Sequence, residues 1–210
     1  MTRSYSHGAS SVALIGETIG ENLERTVARW GEREALVVPF QGVRLTYRAF
    51  DDEVNRVARG LLAGGLAKGE RIGIWSPNNA EWVLVQYATA KIGAILVNIN
   101  PAYRTHEVGY VLQQSGCRML VAATEFKGSS YVAMVDEVRG DLPALEKVIL
   151  LGTDDWDALV AGAAAVTDEA LRERMAGLQF DDAINIQYTS GTTGFPKGAT
   201  LSHHNILNNG

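Results

Sequence analysis

The most constraining feature of this sequence is a strict alternation of short apolar runs and amphipathic stretches through its middle. Residues 71–75 (Arg-Ile-Gly-Ile-Trp), 94–99 and 118–122 read as strands. Between them, 80–92 and 105–115 have helical spacing and stop at Gly93 and Gly116. Asn79 and Thr105 stand where N-caps belong. A helix over 129–138 and a strand over 147–151 continue the pattern. Strand, helix, strand with loops this short leaves little but parallel pairing, because parallel neighbours need a crossover and a helix supplies it. The expected fold class is α/β, a mostly parallel sheet flanked by helices.

The flanks are less regular. Thr18 with Glu21 forms a capping-box pattern ahead of Ile19, Leu23, Val27 and Trp30. Residues 35–38 and 45–47 read as strands joined by a tight turn at Phe40-Gln41-Gly42-Val43. The next helix has Phe50, Val54, Val57 and Leu61 on one face and stops at Gly64-Gly65. Residues 152–179 are weakly patterned and read as a surface excursion, with a short charged helix starting at Thr167. A last strand covers 183–188. Trp30, Trp75, Trp82 and Tyr87 read as core. The chain reads as a flexible N-terminus (1–17) followed by one partial domain (18–210).

Composition excludes several function classes. With 19 basic and 24 acidic side chains the net charge is −5, so no global basic excess drives binding to phosphate backbones, and nucleic acid is not an expected partner. The 46% hydrophobic fraction argues against a disordered chain. No apolar run approaches the roughly 20 residues of a membrane span, which leaves peripheral membrane contact as the only kind expected. The one cysteine, Cys117, can form neither an internal disulfide nor a Cys-rich zinc site and reads as a buried small hydrophobe. A cytoplasmic location follows as the expectation. His203-His204 points two ways in any regular element and lacks a third ligand at metal spacing. Ser202 reads as the N-cap of a closing helix that carries both histidines.

The chemistry is concentrated in Tyr188-Thr189-Ser190-Gly191-Thr192-Thr193-Gly194-Phe195-Pro196-Lys197-Gly198. Glycines let backbone N–H groups approach a ligand closely. Hydroxyls donate hydrogen bonds and can ligate a hard cation. Lysine adds a mobile positive charge and proline fixes the turn. Together they suit a polyphosphate. A Walker A loop is excluded at two places, where Pro196 replaces a glycine and Gly198 replaces the final Ser or Thr. A dinucleotide fingerprint is excluded by spacing, and the first strand-to-helix turn, 76–79, has no glycine.

The segment closely resembles the phosphate-binding signature of the adenylate-forming (AMP-binding) superfamily, which includes acyl-CoA synthetases, peptide-synthetase adenylation domains and beetle luciferases. Tyr-Thr-Ser-Gly-Thr-Thr-Gly-x-Pro-Lys-Gly agrees at every fixed position. Leu45-Thr46-Tyr47, Gly69-Glu70-Arg71-Ile72-Gly73-Ile74, Asn78-Asn79-Ala80-Glu81-Trp82, Lys91-Ile92-Gly93-Ala94 and Asn98-Ile99-Asn100-Pro101 extend the likeness, as does Ala199-Thr200-Leu201-Ser202-His203-His204-Asn205. Within the superfamily the chain looks most like the fatty acyl-CoA synthetases of medium- to long-chain type. The aryl-CoA ligases, the peptide-synthetase adenylation domains and a non-catalytic truncated protein are the alternatives.

The resemblance implies an ATP-dependent acid–thiol ligase. A fatty acid carboxylate attacks the α-phosphorus of ATP, and the thiol of coenzyme A then displaces AMP. It implies that Thr189, Ser190, Gly191, Thr192, Thr193, Gly194 and Lys197 hold the β- and γ-phosphates, with Thr189 also helping to hold Mg²⁺. It assigns no catalytic residue within the chain. The family's adenine, ribose and acyl elements and its mobile C-terminal lid domain lie downstream of this loop. The chain therefore reads as an N-terminal fragment of the large domain, expected to be inactive by itself.

Overall fold

In a computed structural model the described residues are 11–189 and 196–210. Helix α1 (Ile19–Trp30) opens on the expected capping box, Thr18 accepting from the Glu21 N–H and Glu21 accepting from Thr18. Strands β1 (Glu34–Val38) and β2 (Val43–Thr46) form an antiparallel hairpin whose turn ends on Gly42 at φ 67°. Helix α2 (Tyr47–Ala63) buries the expected face, Phe50, Val54, Val57 and Leu61.

The central sheet follows. Its elements are β3 (Arg71–Trp75), α3 (Ala80–Ile92), β4 (Ile95–Asn98), α4 (Thr105–Ser115) and β5 (Met119–Ala122). After a small hairpin of β6 (Glu125–Phe126) and β7 (Ser129–Ser130) come α5 (Tyr131–Val138) and β8 (Lys147–Leu150). Helices α6 (Asp154–Ala161) and α7 (Asp168–Ala176) lead to β9 (Ala183–Thr189), β10 (Lys197–Ser202) and α8 (His203–Asn209). The strand order is β10-β9-β4-β3-β5-β8. All pairs are parallel except β9 with β10. The α/β class with helices flanking a mostly parallel sheet is therefore correct.

Crossover handedness places the helices. The path from β3 to β4 moves one way across the sheet, and the path from β4 through β5 to β8 moves the other way. Right-handed crossovers then put α3 on one face and α4 and α5 on the opposite face. The two cores agree. One face packs Ile72, Ile74, Leu96 and Val121 against α1, α2, α3, α6 and α7. The other packs Trp75, Val97, Leu120 and Ala122 against α4 and α5. All four residues of β5 are buried, which is why this run carries no polar alternation.

Several local expectations change. Helix α4 is capped at Arg104, whose N–H donates to Glu107, and Thr105 is its first residue rather than its cap. Helix α5 starts at Tyr131 with Ser130 as cap, because Ser129 and Ser130 pair back onto β6. The 152–179 segment is no mere excursion. It holds two helices, and Leu159, Ala163 and Leu171 are buried under α2 and α3. Its apolar residues are too few per turn to give a periodic signal. Trp30 is 37% exposed, not core. Its ring faces water and carries the guanidinium groups of Arg33 and Arg29 at 3.9 and 4.9 Å. Cys117 is buried as expected, and burial pushes its thiol up to about 12.

Candidate functional site

Strand β9 climbs from the buried Ile184 and Asn185 to the exposed Thr189 at the carboxyl end of the sheet. There it turns back into β10. Lys197 lies opposite Thr189 in the ladder, and the Thr189 hydroxyl donates to the Lys197 carbonyl at 3.5 Å. Of the residues expected to touch phosphate, Thr189 and Lys197 thus face each other across the two stems of one hairpin. Ser190, Gly191, Thr192, Thr193 and Gly194 lie outside the described residues. Both stem residues are exposed.

The stems are braced from below. On α4, the Tyr110 hydroxyl lies 3.3 Å from the Pro196 carbonyl, and Gln114 Nε2 donates to the same hydroxyl at 2.7 Å. Gly198 pairs with Tyr188, and a Cβ there would sit 2.8 Å from Ile186 Cγ2 and 3.3 Å from the Tyr188 ring. The last glycine of the motif is therefore a packing requirement: β10 can lie this close to Ile186 only without a side chain. Burial pushes the Tyr188 phenol up to about 12, so its hydroxyl stays neutral at physiological pH.

Beside this hairpin a crevice of about 260 Å³ opens above the carboxyl ends of β3, β4 and β9. Ser76, Asn78, Asn98, Asn100, Gln187, Tyr188 and Trp82 line it. Its position follows from topology. The connections leaving β3 and β4 go to opposite faces, which leaves their carboxyl ends uncovered while the ladder stays paired as far as Ile74 and Asn98. The register places Asn98 beside Ile74 on one side and Gln187 on the other. Asn98 Oδ1 is a buried acceptor with no hydrogen-bond partner among the described residues. The rim is rigid. Trp75 stacks on Tyr131 at 3.6 Å and donates Nε1–H to the Asn100 carbonyl, and the Tyr131 hydroxyl donates to the Pro101 carbonyl at 2.5 Å. Sequence reading missed these crevice residues.

The histidines play the structural part expected. Ser202 caps α8 by accepting from the Asn205 N–H. His203 is fully buried, and its Nδ1 accepts from the Ile19 N–H at 3.1 Å, while Nε2 has no partner among the described residues. Burial lowers its pKa to about 4. Asn208 clamps Ile15 at both main-chain groups, at 2.7 and 3.0 Å. Among the described residues no three His, Cys, Asp or Glu side chains gather to hold a metal. Thr189 offers an exposed hard hydroxyl oxygen that makes one long hydrogen bond among the described residues, which suits Mg²⁺. A Mg²⁺ there would draw its other ligands chiefly from phosphate oxygens and water.

A doubly wound sheet of this kind, with β9 and β10 flanking a Gly- and hydroxyl-rich segment at its carboxyl edge, has the architecture common among nucleotide-binding proteins. The profile of the family described as AMP-binding enzyme matches residues 23–210, and the chain belongs to that family. It is 42% identical to the Danio rerio protein named medium-chain acyl-CoA ligase ACSF2, mitochondrial, over 100% of this chain and 38% of that one. Against the Homo sapiens protein of the same name identity is 44%, over 98% of this chain and 37% of that one. The chain thus spans under two fifths of these relatives. Among solved structures, the inhibitor-bound N-terminal domain of FACL13 from Mycobacterium tuberculosis superposes with a TM-score of 0.75 at 30% identity, covering 89% of this chain and 44% of that one.

Proposed function

We propose that this chain carries the phosphate-binding part of an AMP-forming fatty acid–CoA ligase, a partial AMP-binding domain over residues 18–210. The observation that carries the reading is the β9–β10 hairpin. It sets Thr189 and Lys197 opposite each other at the carboxyl edge of the sheet, at the two ends of the glycine-rich turn. The difficulty of the first step is charge, since a carboxylate must approach a triphosphate and pyrophosphate must leave carrying negative charge. The Lys197 ammonium and the hydroxyl and amide donors of Thr189 through Gly194 offset that charge where it develops. Thr189 would hold Mg²⁺ with the phosphates, and the metal supplies further neutralisation of the leaving group. Tyr110 braces the returning stem, so the lysine end of the turn starts from a fixed position. Substrates on this reading are ATP, coenzyme A and a medium- or long-chain fatty acid.

The test is ATP–pyrophosphate exchange by the complete enzyme that carries this segment, with saturated acids of increasing chain length, the 210-residue chain by itself being expected to give none. Exchange stimulated by decanoate or longer acids is expected. Exchange with benzoate or an amino acid but with no fatty acid would transfer the reading to the aryl-CoA ligases or adenylation domains. The lone buried Cys117 suits a reducing compartment, and we place the protein in the cytoplasm. Cell fractionation tests this, a mitochondrial pool being the contrary result.

A further inference from the structure

We propose that Tyr110 is the positioning residue for Lys197, and that Gln114 orients its hydroxyl for that task. The inference rests on the reading that Lys197 meets the phosphates of a nucleotide. Tyr110 and Gln114 both lie on α4, outside the phosphate motif, and nothing in that motif points to them.

A lysine is hard to place. Lys197 is exposed, and its ammonium rides on a four-carbon stem that loses rotamer freedom when it settles on a ligand. The fold can lower that loss by fixing the root of the side chain. Peptide units are planar, so holding the carbonyls of Pro196 and Lys197 fixes the two planes that meet at the Lys197 Cα. Each of these carbonyls takes a side-chain hydroxyl. Tyr110 Oη donates to the Pro196 carbonyl at 3.3 Å, and Thr189 Oγ1 donates to the Lys197 carbonyl at 3.5 Å. With both planes held, the direction of the Lys197 Cα–Cβ bond is set before a ligand arrives.

The hydrogen bonds run one way. Gln114 Nε2 donates to Tyr110 Oη at 2.7 Å, so the tyrosine oxygen accepts there and its own proton is directed to Pro196. A hydroxyl that accepts while it donates is polarised, and its donor bond strengthens. Gln114 stands four residues after Tyr110, the spacing that puts two side chains on one helix face. The helix that carries them is anchored at both ends. Arg71 on β3 donates from Nε to the Ser115 carbonyl at 2.7 Å and from Nη2 to the Gly116 carbonyl at 3.1 Å. At the other end Arg104 is bonded to Ser129. Between them Gly109 lies close to α5, where a Cβ would sit 3.2 Å from Val138 Cγ1. The Tyr110 hydroxyl is therefore a fixed point against which the lysine end of the hairpin is set.

The experiment is a double-mutant cycle on MgATP affinity, read by calorimetric titration of the full chain as wild type, Tyr110→Phe, Lys197→Ala and the double variant. Tyr110→Phe keeps the ring and its packing, so the melting temperature should fall by no more than a few degrees. It should weaken MgATP binding about fivefold, the scale of one lost hydrogen bond. In the Lys197→Ala background the same substitution should change nothing, because no lysine is left to position. Gln114→Leu should weaken binding about twofold and add nothing to Tyr110→Phe. Unchanged affinity in Tyr110→Phe overturns the proposal. So does an equal loss with and without Lys197, which would mark a tyrosine that only supports the fold. Absence of MgATP binding, or an affinity that ignores Lys197→Ala, overturns the phosphate reading itself and the proposal with it.

Discussion

His203 shows how much one buried side chain couples in this fold. Its ring takes the Ile19 N–H, tying the start of α1 to the start of α8, 184 residues apart in sequence. That bond needs Nδ1 unprotonated, and burial keeps the ring neutral with a pKa near 4 against 6.5 in the unfolded chain. As pH falls the unfolded chain therefore takes up the proton first. The stability linked to His203 is fully present above pH 6.5 and is lost between pH 6.5 and 4, to a limit of about 3 kcal/mol. Urea denaturation should show the wild type losing more stability than His203→Gln between pH 7 and 4.5. Parallel curves would remove His203 from the account. The histidine pair was legible as structural from sequence because no third ligand stood at metal spacing. The bond to Ile19 was not legible, since nothing local in residues 203–204 points to residue 19.

At the scale of elements, helix contacts turn on single close approaches. Gly60 in α2 lies under α6, where a Cβ would come within 2.3 Å of the Leu159 carbonyl oxygen. Gly60→Ala should cost about 2–3 kcal/mol through forced separation of the two helices. An unchanged denaturation midpoint would contradict that contact. Lys91, fully buried in α3, binds Asp51 at 2.7 Å and Asn55 at 2.6 Å, both on α2. Lys91→Met leaves the Asp51 carboxylate without its cation and should cost about 3–5 kcal/mol, and adding Asp51→Leu should recover much of the loss. Simple additivity of the two losses in a double-mutant cycle would show that the pair is not coupled. Elements with strong periodicity, such as α2 and β3 to β5, were legible in the sequence. Helix α6 and strand β10 were not. Helix α6 is eight residues long with Leu159 as its one buried residue, and β10 is a Gly- and Thr-containing edge strand whose outward residues carry no apolar alternation.

At the scale of the whole molecule, the order of crossings across the sheet decides where a ligand can sit. Because β3 and β4 send their helices to opposite faces, their carboxyl ends stay uncovered, and β9 brings Gln187 and Tyr188 to the same crevice. The Gly- and hydroxyl-rich motif stood out by residue types alone, and Thr189 and Lys197 at its two ends lie opposite each other. The crevice beside it did not stand out, because Ser76, Asn98 and Gln187 come from three segments that only the strand order brings together. Gly198 shows the same limit, since its place in the motif suggests ligand contact while its structural reason is the approach of β10 to Ile186.

The central claim is that the turn between Thr189 and Lys197 holds the phosphates of a nucleotide. Its most direct test is calorimetric titration of the protein with MgATP, comparing wild type with Lys197→Ala. Lys197 is exposed, so the substitution should leave the fold intact. Loss of one charge-assisted contact predicts about tenfold or greater weakening of MgATP binding, with the melting temperature unchanged. Equal MgATP affinity in the two proteins would contradict the claim.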